Sequence, residues 1–426
     1  MADTAHKTKA AAKEYFDPVE VREAKVRLLA KWIRESNHMT CFTGAGISTS
    51  CGIPDFRSGM DTVLETGPGV WELRAKKKMR SRRAKTTSTL KAIPSFTHMA
   101  LCALERDGIL KAIISGNTDG LHRRSGFPPE RLYEVHGNSN LETCKTCGHQ
   151  YLRDFKCRNA RGTKKHETGR LCEMVGDDGK VCGGKLRDTI INFGENLPER
   201  ELTMGFAHTA ESDVCLALGS SLTVTPSADM PEQVGDKKSG KLVIVNLQKT
   251  PLDRKASLVI HAKCDDVMRQ LATELAMDVP EFRLRRYVKI SRGKAPRKSD
   301  MRVHVQGVDR DGTPFSLFQG VTFTSDSKSG EDACAKEPFR GTLPANSRNP
   351  QVRLKFAGHY REPTLAVPVP EAETTYCCTF NPRTGVWESV EPVEAAGEAR
   401  PEAGGAGGAG GAGVEEVTRG MESLGS

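Results

Sequence analysis

Four short apolar runs place the tightest limit on the fold of this chain. They are HMTCFTGAG (38–46), GILKAIISG (108–116), SDVCLALGSS (212–221) and KLVIVNLQ (241–248), and in each the apolar part gives way to Gly, Ser or Asn. Segments with helical spacing of apolar residues, such as THMALCALERDG (97–108), separate them. Nearly continuous apolar strands that alternate with helices are typical of a doubly wound parallel α/β sheet. Because such sheets bind ligands beyond the carboxyl ends of their strands, functional residues are expected there.

Changes of composition divide the 426 residues into segments. An inserted module is recognised by its small number of apolar residues. A β-rich unit is recognised by the alternation of apolar and polar residues. The predicted segments are a flexible N-terminus (1–16), an α/β core (17–280) with a small inserted module (about 137–190), a basic linker (281–299), a β-rich unit (300–392) and a disordered Gly/Ala-rich tail (393–426).

The first helix of the core is predicted to begin at residue 17. Asp17 is the expected N-cap, with Pro18 at the first helical position and Glu20 three residues after the cap. The apolar residues with helical spacing, which are expected to form the buried face, are Val21, Ala24, Leu28, Trp32 and Ile33.

The net charge of +9 is concentrated in two runs, 74–91 and 283–298. Such runs are solvated or mobile surfaces in most proteins, or else they bind an acidic partner such as DNA or a nucleosome. The second run also resembles a nuclear-import signal. Because no apolar stretch has the length of a signal peptide or a membrane span, we expect neither secretion nor a membrane partner.

Four of the thirteen cysteines have the spacing of a zinc site. Cys144 and Cys147 form a C-x-x-C pair, and Cys172 and Cys182 follow in the same apolar-poor module. Four thiolates around one Zn²⁺ would order a segment that has no core of its own. Of the other cysteines, we expect Cys41, Cys102 and Cys215 to be packed thiols and Cys157 to lie at the surface.

Polar residues with chemical potential cluster after the apolar runs. In TGAGISTSCGIPDFRS (43–58), Gly44 and Gly46 would let backbone N–H groups approach a pyrophosphate at a helix start, although Thr49 stands where a dinucleotide fingerprint has its third Gly. Asn117, Asp119 and His122 follow the run that ends at Gly116. In EVHGN (134–138), His136 is either a hydrogen-bonded core residue or a general base.

In this order, the motifs TGAGIS, GIPDFRS, NTDGLH, EVHGN, LGSSL and IVNLQ, together with the four zinc-spaced cysteines, resemble a sirtuin. Sirtuins are NAD-dependent protein-lysine deacylases, and the resemblance spans about residues 25–280. RSGFPPERLYEVHGN, TGRLC, LRDTIINFGE and VNLQKTP resemble the chromatin-associated class IV branch. The resemblance implies a Rossmann-type domain for NAD, a small zinc-binding domain and a cleft between them for an acyl-lysine peptide.

The same resemblance implies roles for individual residues. His136 would be the general base, Asn117 and Asp119 would surround the nicotinamide, and His122 would be a local structural residue. The residues that would contact NAD are Gly44, Ala45, Gly46, Ser48, Thr49, Asp55, Phe56, Arg57, Trp71, Asn117, Asp119, Gly219, Ser220, Ser221, Asn246, Gln248 and Cys264.

Three departures from the family pattern keep alternatives open. Gly116 stands where the family has Gln, SNLETC (139–144) replaces larger apolar residues, and an extended loop separates Arg57 from Trp71. The leading hypothesis is a nuclear deacylase of histones or other chromatin proteins that releases nicotinamide and O-acyl-ADP-ribose. The alternatives are a protein mono-ADP-ribosyltransferase and a weakly active or non-catalytic chromatin-binding scaffold.

Overall fold

The computed structural model of the protein describes residues 12–79, 81, 84–158, 165–176, 178–326 and 332–393. In chain order, the first elements are α1 (Val19–Glu35), β1 (Met39–Thr43), a 3₁₀ helix (Ala45–Cys51), α2 (Val70–Ala75), α3 (Phe96–Arg106), β2 (Leu110–Ser115), α4 (Leu121–Ser125), a second 3₁₀ helix (Pro129–Arg131) and β3 (Leu132–Glu134). The next are β4 (Leu141–Cys144), β5 (Gln150–Leu152), β6 (Glu167–Leu171), β7 (Lys185–Asp188), α5 (Glu199–Glu211), β8 (Val214–Leu218), α6 (Asp229–Gly235), β9 (Lys241–Val245), β10 (Leu258–Ile260) and α7 (Cys264–Glu274). The C-terminal strands are β11 (Leu284–Lys294), β12 (Asp300–Val308), β13 (Phe318–Thr324), β14 (Asp332–Cys334), β15 (Phe339–Pro344), β16 (Gln351–Phe356), β17 (Leu365–Pro368), β18 (Thr374–Asn381) and β19 (Val386–Pro392).

A six-stranded parallel sheet, in the order β10–β9–β8–β1–β2–β3, forms the centre of the core. Helices α1, α3 and α7 cover one face through side chains such as Leu29, Leu101 and Met268. Helices α5 and α6 cover the other face, where Phe206 and Met230 pack. The predicted doubly wound parallel sheet is therefore confirmed, and its apolar strands are buried because helices lie on both sides.

The inserted module is a four-stranded antiparallel sheet in the order β5–β4–β7–β6. Its small core contains Tyr151 and Leu186 beside the cysteines. Cys157, predicted to lie at the surface, is buried with an exposed fraction of 1%. The N–H of Cys157 donates to the carbonyl of Ser139, so the segment is held against the module although charged residues flank Cys157 in the sequence.

The C-terminal unit is a sandwich of two antiparallel sheets, β15–β12–β11–β18–β19 and β14–β13–β16–β17. Their facing sides share one apolar core that includes Val303 and Phe323. The predicted β-rich unit is therefore present, but it begins earlier than predicted. The segment 281–299 is not a linker, because β11 occupies most of it and alternates buried and exposed residues.

Helix α1 differs from the sequence-based prediction at its start and on its buried face. It begins at Val19, and Asp17 does not cap it but accepts hydrogen bonds from Lys25 Nζ and the N–H of His261. Val21 and Leu28 are 43% and 40% exposed. The buried residues are Val26, Leu29, Ala30 and Ile33, of which Ile33 alone was predicted. Two apolar stripes keep helical spacing here, and only the packing against the sheet selects between them.

The N-terminal segment was predicted to be flexible as far as residue 16, but its described part is paired with the core. The N–H of Tyr15 donates to the carbonyl of Leu247, and Glu14 forms a β-bridge with Gln248. Residues 1–11 and 394–426, which include nearly all of the predicted tail, lie outside the described residues. Among the described helices, none is sufficiently long and apolar to span a membrane.

Candidate active site

A cavity of about 1290 Å³ opens at the carboxyl ends of the central strands. Gly44 follows β1, Gly116 follows β2, Gly219 follows β8 and Asn246 follows β9, and all four line the cavity. The parallel order of the strands brings these polar ends to one edge of the sheet, as the sequence pattern predicts.

The floor of the cavity is made by backbone packed against backbone. A Cβ atom on Gly46 would lie 2.6 Å from Gly219 Cα, and one on Gly44 would lie 2.7 Å from the Gly219 carbonyl oxygen. Gly219 itself has a φ of +60°, which favours glycine. The three glycines therefore permit the turn after β1 to lie directly against the turn after β8.

The hydrogen bonds of these glycines change the role predicted for Gly44 and Gly46. The N–H of Gly44 donates to the carbonyl of Leu218 at 2.9 Å, and that of Gly46 to the carbonyl of Gly219 at 2.8 Å. Both donors are thus already used within the protein. These glycines shape the cavity by allowing close approach, and their own N–H groups do not point free toward a diphosphate.

Asn117 and Asp119 follow β2, and the structure separates their positions. Asn117 lines the cavity, is 5% exposed, and donates from Nδ2 to the carbonyl of Gly44 at 3.0 Å. The carboxylate of Asp119 lies behind the wall, where it accepts from the Ser48 hydroxyl at 2.7 Å and from the N–H of Leu121 at 2.9 Å. Asp119 and Ser48 therefore brace the two turns from behind.

His122 lies in the same buried layer. Its Nε2 is 2.8 Å from the hydroxyl of Thr43, which in turn donates to Ser115. Burial, reinforced by the neighbouring His98, lowers the pKa of His122 to about 3, so its ring is neutral at physiological pH. His122 links β1 to α4 and does not line the cavity, as expected for a structural residue.

His136 lines the cavity just beyond the end of β3. Its Nδ1 is 3.2 Å from the carbonyl oxygen of Gly116. In the neutral tautomer with the proton on Nδ1, this N–H donates to that carbonyl. That bond orients the ring and leaves Nε2 as the basic nitrogen. Burial lowers the pKa of His136 below its usual value, and the bond to Gly116 opposes this only in part.

Gly116, one of the three departures from the pattern expected from the sequence, has room for a Cβ atom. A Cβ atom there would lie 3.4 Å from His136 Nδ1 and 3.7 Å from the carbonyl oxygen of Thr43, which are ordinary contacts. In contrast to Gly46, Gly116 is thus not required by close packing.

One wall of the cavity is aromatic and cationic. The ring centroids of Phe56 and Trp71 are 4.9 Å apart, and the Arg57 guanidinium lies 4.9 Å from the Trp71 centroid. Asp55 holds the turn by accepting from the N–H of Ser58 at 3.0 Å. Burial raises the pKa of Asp55, partly offset by its bonds to Ser58. The extended loop between Arg57 and Trp71 therefore folds back, so that Trp71 packs against Phe56 and Arg57.

The opposite wall follows β8 and β9. Asn246 Nδ2 donates to the Gln248 carbonyl at 2.9 Å, which fixes the turn after β9. Burial raises the pKa of the Cys264 thiol, so this residue contributes a neutral surface at the start of α7. The predicted cofactor residues that line the cavity are Gly44, Ala45, Gly46, Thr49, Asp55, Phe56, Arg57, Trp71, Asn117, Gly219, Ser220, Ser221, Asn246, Gln248 and Cys264, whereas Ser48 and Asp119 lie behind it.

The segment after β7 also lines the cavity, and sequence reasoning assigned it no role. It contributes Ile191, Phe193 and Leu197, with Phe193 5.9 Å from Trp71 between ring centroids. Leu222, after β8, adds another apolar contact surface. The motif LRDTIINFGE resembles a family branch, but no period or spacing in it indicates that it faces the cavity.

The four zinc-spaced cysteines come together in the inserted module. Their sulfur atoms all lie within 4.8 Å of one another, with 3.8 Å between Cys144 and Cys182 and 3.6 Å between Cys147 and Cys172. These separations match the edges of a tetrahedron whose corners are about 2.3 Å from a central Zn²⁺. The Tyr151 hydroxyl lies 3.1 Å from Cys172 and accepts the N–H of Glu173, which orients the site. The residues fit one structural zinc ion, and four thiolates leave no open position for catalysis.

The comparisons with known proteins agree with this geometry. Residues 44–226 match the model of the Sir2 family. The chain is 39% identical over 274 residues to NAD-dependent protein deacetylase Sirt6 of Drosophila melanogaster. The aligned residues are 64% of this chain and 81% of that protein. It is 41% identical over 350 residues to NAD-dependent protein deacetylase SRT1 of Oryza sativa subsp. indica, over 80% of this chain and 68% of that protein.

The protein is therefore a sirtuin and belongs to the Sir2 family. Its similarity to a protein named Sirt6 agrees with the predicted resemblance to the class IV branch. NAD-dependent protein deacetylase SRT1 of Arabidopsis thaliana is 45% identical over 270 residues, which is 63% of this chain. The chain spans 53%, about half, of the length of that relative.

Replacement of Cys172 by Ser is expected to lower the bound zinc from about one ion per chain to a small fraction, because three thiolates bind Zn²⁺ far more weakly than four. Elemental analysis of the purified protein measures the ratio. Cys334→Ser, in the β-sandwich, is the matched control and should retain the zinc. Full zinc content in Cys172→Ser would contradict the assignment.

Proposed function

We propose that this protein is an NAD-dependent protein-lysine deacylase. The observation that carries the proposal is the position of His136 in the same cavity as Asn117 and the glycine floor. An imidazole whose Nδ1–H is held by the Gly116 carbonyl has its other nitrogen ready to accept a proton. Because burial lowers its pKa, His136 is in the neutral, basic form at neutral pH.

NAD is expected to lie along the sheet edge, from the turn after β9 to the end of β2. Ser220, Ser221 and Asn246 offer polar contacts for the adenosine half at one end. Asn117, at the other end, is fixed by its bond to Gly44 and is suited to orient the nicotinamide half. Because these groups follow different strands along the edge of the sheet and line one cavity of about 1290 Å³, the site suits an extended dinucleotide better than a small ligand.

The apolar surface of Ile191, Phe193 and Leu197 is suited to the acyl-lysine arm of a protein substrate. In the proposed reaction, the acyl oxygen bonds to the ribose carbon that nicotinamide leaves. His136 takes the proton of a ribose hydroxyl, so that this oxygen attacks the acyl carbon. Addition of water then releases the free lysine amine, and the acyl group remains on the ADP-ribose.

Incubation with NAD and an acetylated histone peptide is expected to yield equal amounts of deacetylated peptide, nicotinamide and O-acetyl-ADP-ribose, as measured by mass spectrometry. His136→Ala should lower the rate by about 100-fold or more because the general base is lost. His304→Ala is the control and should keep the wild-type rate, because His304 lies on β12 of the sandwich and does not line the cavity. ADP-ribosylated peptide in place of O-acetyl-ADP-ribose would refute deacylation in favour of ADP-ribosyl transfer, and no product at all would favour a scaffold.

We further propose that the substrates are histones or other chromatin proteins and that the protein acts in the nucleus. Exposed lysines at 76–78 and the hairpin between β11 and β12, with Lys294, Arg297 and Lys298, support contact with an anionic polymer. Two other cations of the predicted run 283–298 are less available. Arg283 pairs with Glu281 and Glu388, and Arg286 is buried.

Replacement of Lys294, Arg297 and Lys298 together by Gln is expected to weaken binding to duplex DNA and to reduce the slope of log affinity against log salt by about 3, since each phosphate contact contributes about 0.9. Fluorescence anisotropy over a salt series measures the slope. Arg27→Gln with Lys31→Gln, on α1, is a control that also removes exposed cations. An unchanged slope in the hairpin variant would contradict a DNA contact there.

A further inference from the structure

A buried arginine joins the β-sandwich to the zinc-binding module. Arg286, on β11, is 5% exposed. Its Nη1 lies 2.5 Å from Asp154 Oδ2, just after β5 of the module, and its Nη2 lies 2.9 Å from Glu362 Oε1, between β16 and β17. Glu362 also accepts the N–H of Tyr360 through its second oxygen, at 3.1 Å. One cation thus connects two parts of the chain that are more than a hundred residues apart.

Two more hydrogen bonds join the sandwich to the same strand of the module. His149, just before β5, lies with Nε2 2.8 Å from the hydroxyl of Thr313. The Nε2–H of His359 donates to the carbonyl of Asp154, just after β5. The sandwich therefore holds β5 at both ends. Because β5 pairs with β4, which carries Cys144, these contacts fix the orientation of the whole zinc-binding module.

The sandwich also contacts the NAD-binding domain. Met99 of α3 packs in one cluster with Phe282, Leu284 and Phe380. The hydroxyl of Tyr360 donates to the carbonyl of Ala92 at 2.8 Å. The sandwich therefore contacts both units that flank the cleft.

We propose that the β-sandwich is a brace that sets the position of the zinc-binding module against the NAD-binding domain, with Arg286 as its positioning residue. The proposal rests on the proposed deacylase function. The segment 191–197, which lines the cavity, follows β7 of the module, whereas Asn117 and His136 are fixed by the central sheet. A small displacement of the module thus changes the distance between the expected acyl-lysine arm and the catalytic groups.

The chemistry of the contact favours positioning over stability as its purpose. A buried ion pair is, in general, no more stabilising than apolar residues of the same volume, because both charges lose their hydration. What it adds is geometry, since the planar guanidinium meets Asp154 through Nη1 and Glu362 through Nη2, and such hydrogen bonds depend on direction as well as distance. Apolar contacts such as those of Met99 and Phe380 tolerate sliding, and the ion pairs of Arg286 do not.

The test is Asp154→Asn in the full chain. This variant leaves Arg286 paired with Glu362 and weakens only the link to the module. Amide exchange at 150–154 is expected to accelerate about tenfold or more, and the KM for an acetylated peptide to rise by about tenfold with a smaller change in kcat, because the substrate groove is misaligned. Arg286→Lys, which retains the charge but not the fork, should give an intermediate effect.

Glu373→Gln is the matched control, since it breaks the exposed ion pair of Lys289 on the outer face of the same strand. It should leave both quantities unchanged. Wild-type exchange at 150–154 in Asp154→Asn would overturn the brace, and so would a lowered unfolding temperature with an unchanged KM. If the wild-type protein has no deacylase activity, the proposed function fails separately, and the exchange measurement alone decides on the brace.

Discussion

The close approach of two backbone turns is the constraint on which the rest of this site depends. The turn after β1 and the turn after β8 meet at Gly44, Gly46 and Gly219, where a single added Cβ would come within 2.7 Å of backbone atoms. Such contact is open only to glycine. It brings the two central strand ends together, and the cavity forms above them.

The polar groups of the site are positioned from this floor outward. Asn117 is tied to the carbonyl of Gly44, and Asp119 is tied to Ser48 on the turn that contains Gly46. His136 is held by the carbonyl at the end of β2. The side of the cavity that carries Asn117 and His136 is thus a set of bonds between neighbouring strand ends. The other side comes from the segment after the zinc-binding module, so its alignment depends on how that module is held, for which the sandwich provides the contacts.

Much of this arrangement could be predicted from the sequence, because it follows from local patterns. The apolar runs determine the parallel sheet, and the positions after them determine where the site lies. Cysteine spacing determines the zinc cluster. The errors arose where tertiary packing decides between equivalent local patterns. Helix α1 offers two apolar stripes, and the density of charge in 283–298 concealed the alternation of β11. The burial of Cys157 and the inward position of Phe193 depend on partners that are distant in the chain, which no local pattern reveals.

The most direct test of the account compares two glycines that line the same cavity. Titration calorimetry with NAD is expected to show that Gly46→Ala weakens binding by about tenfold or more, because the new Cβ forces the two turns apart. Gly116→Ala, whose Cβ has room, should bind NAD with nearly the wild-type affinity. If Gly46→Ala binds NAD as tightly as the wild type, the close packing of the glycine floor does not determine the cofactor site, and this explanation of the site is wrong.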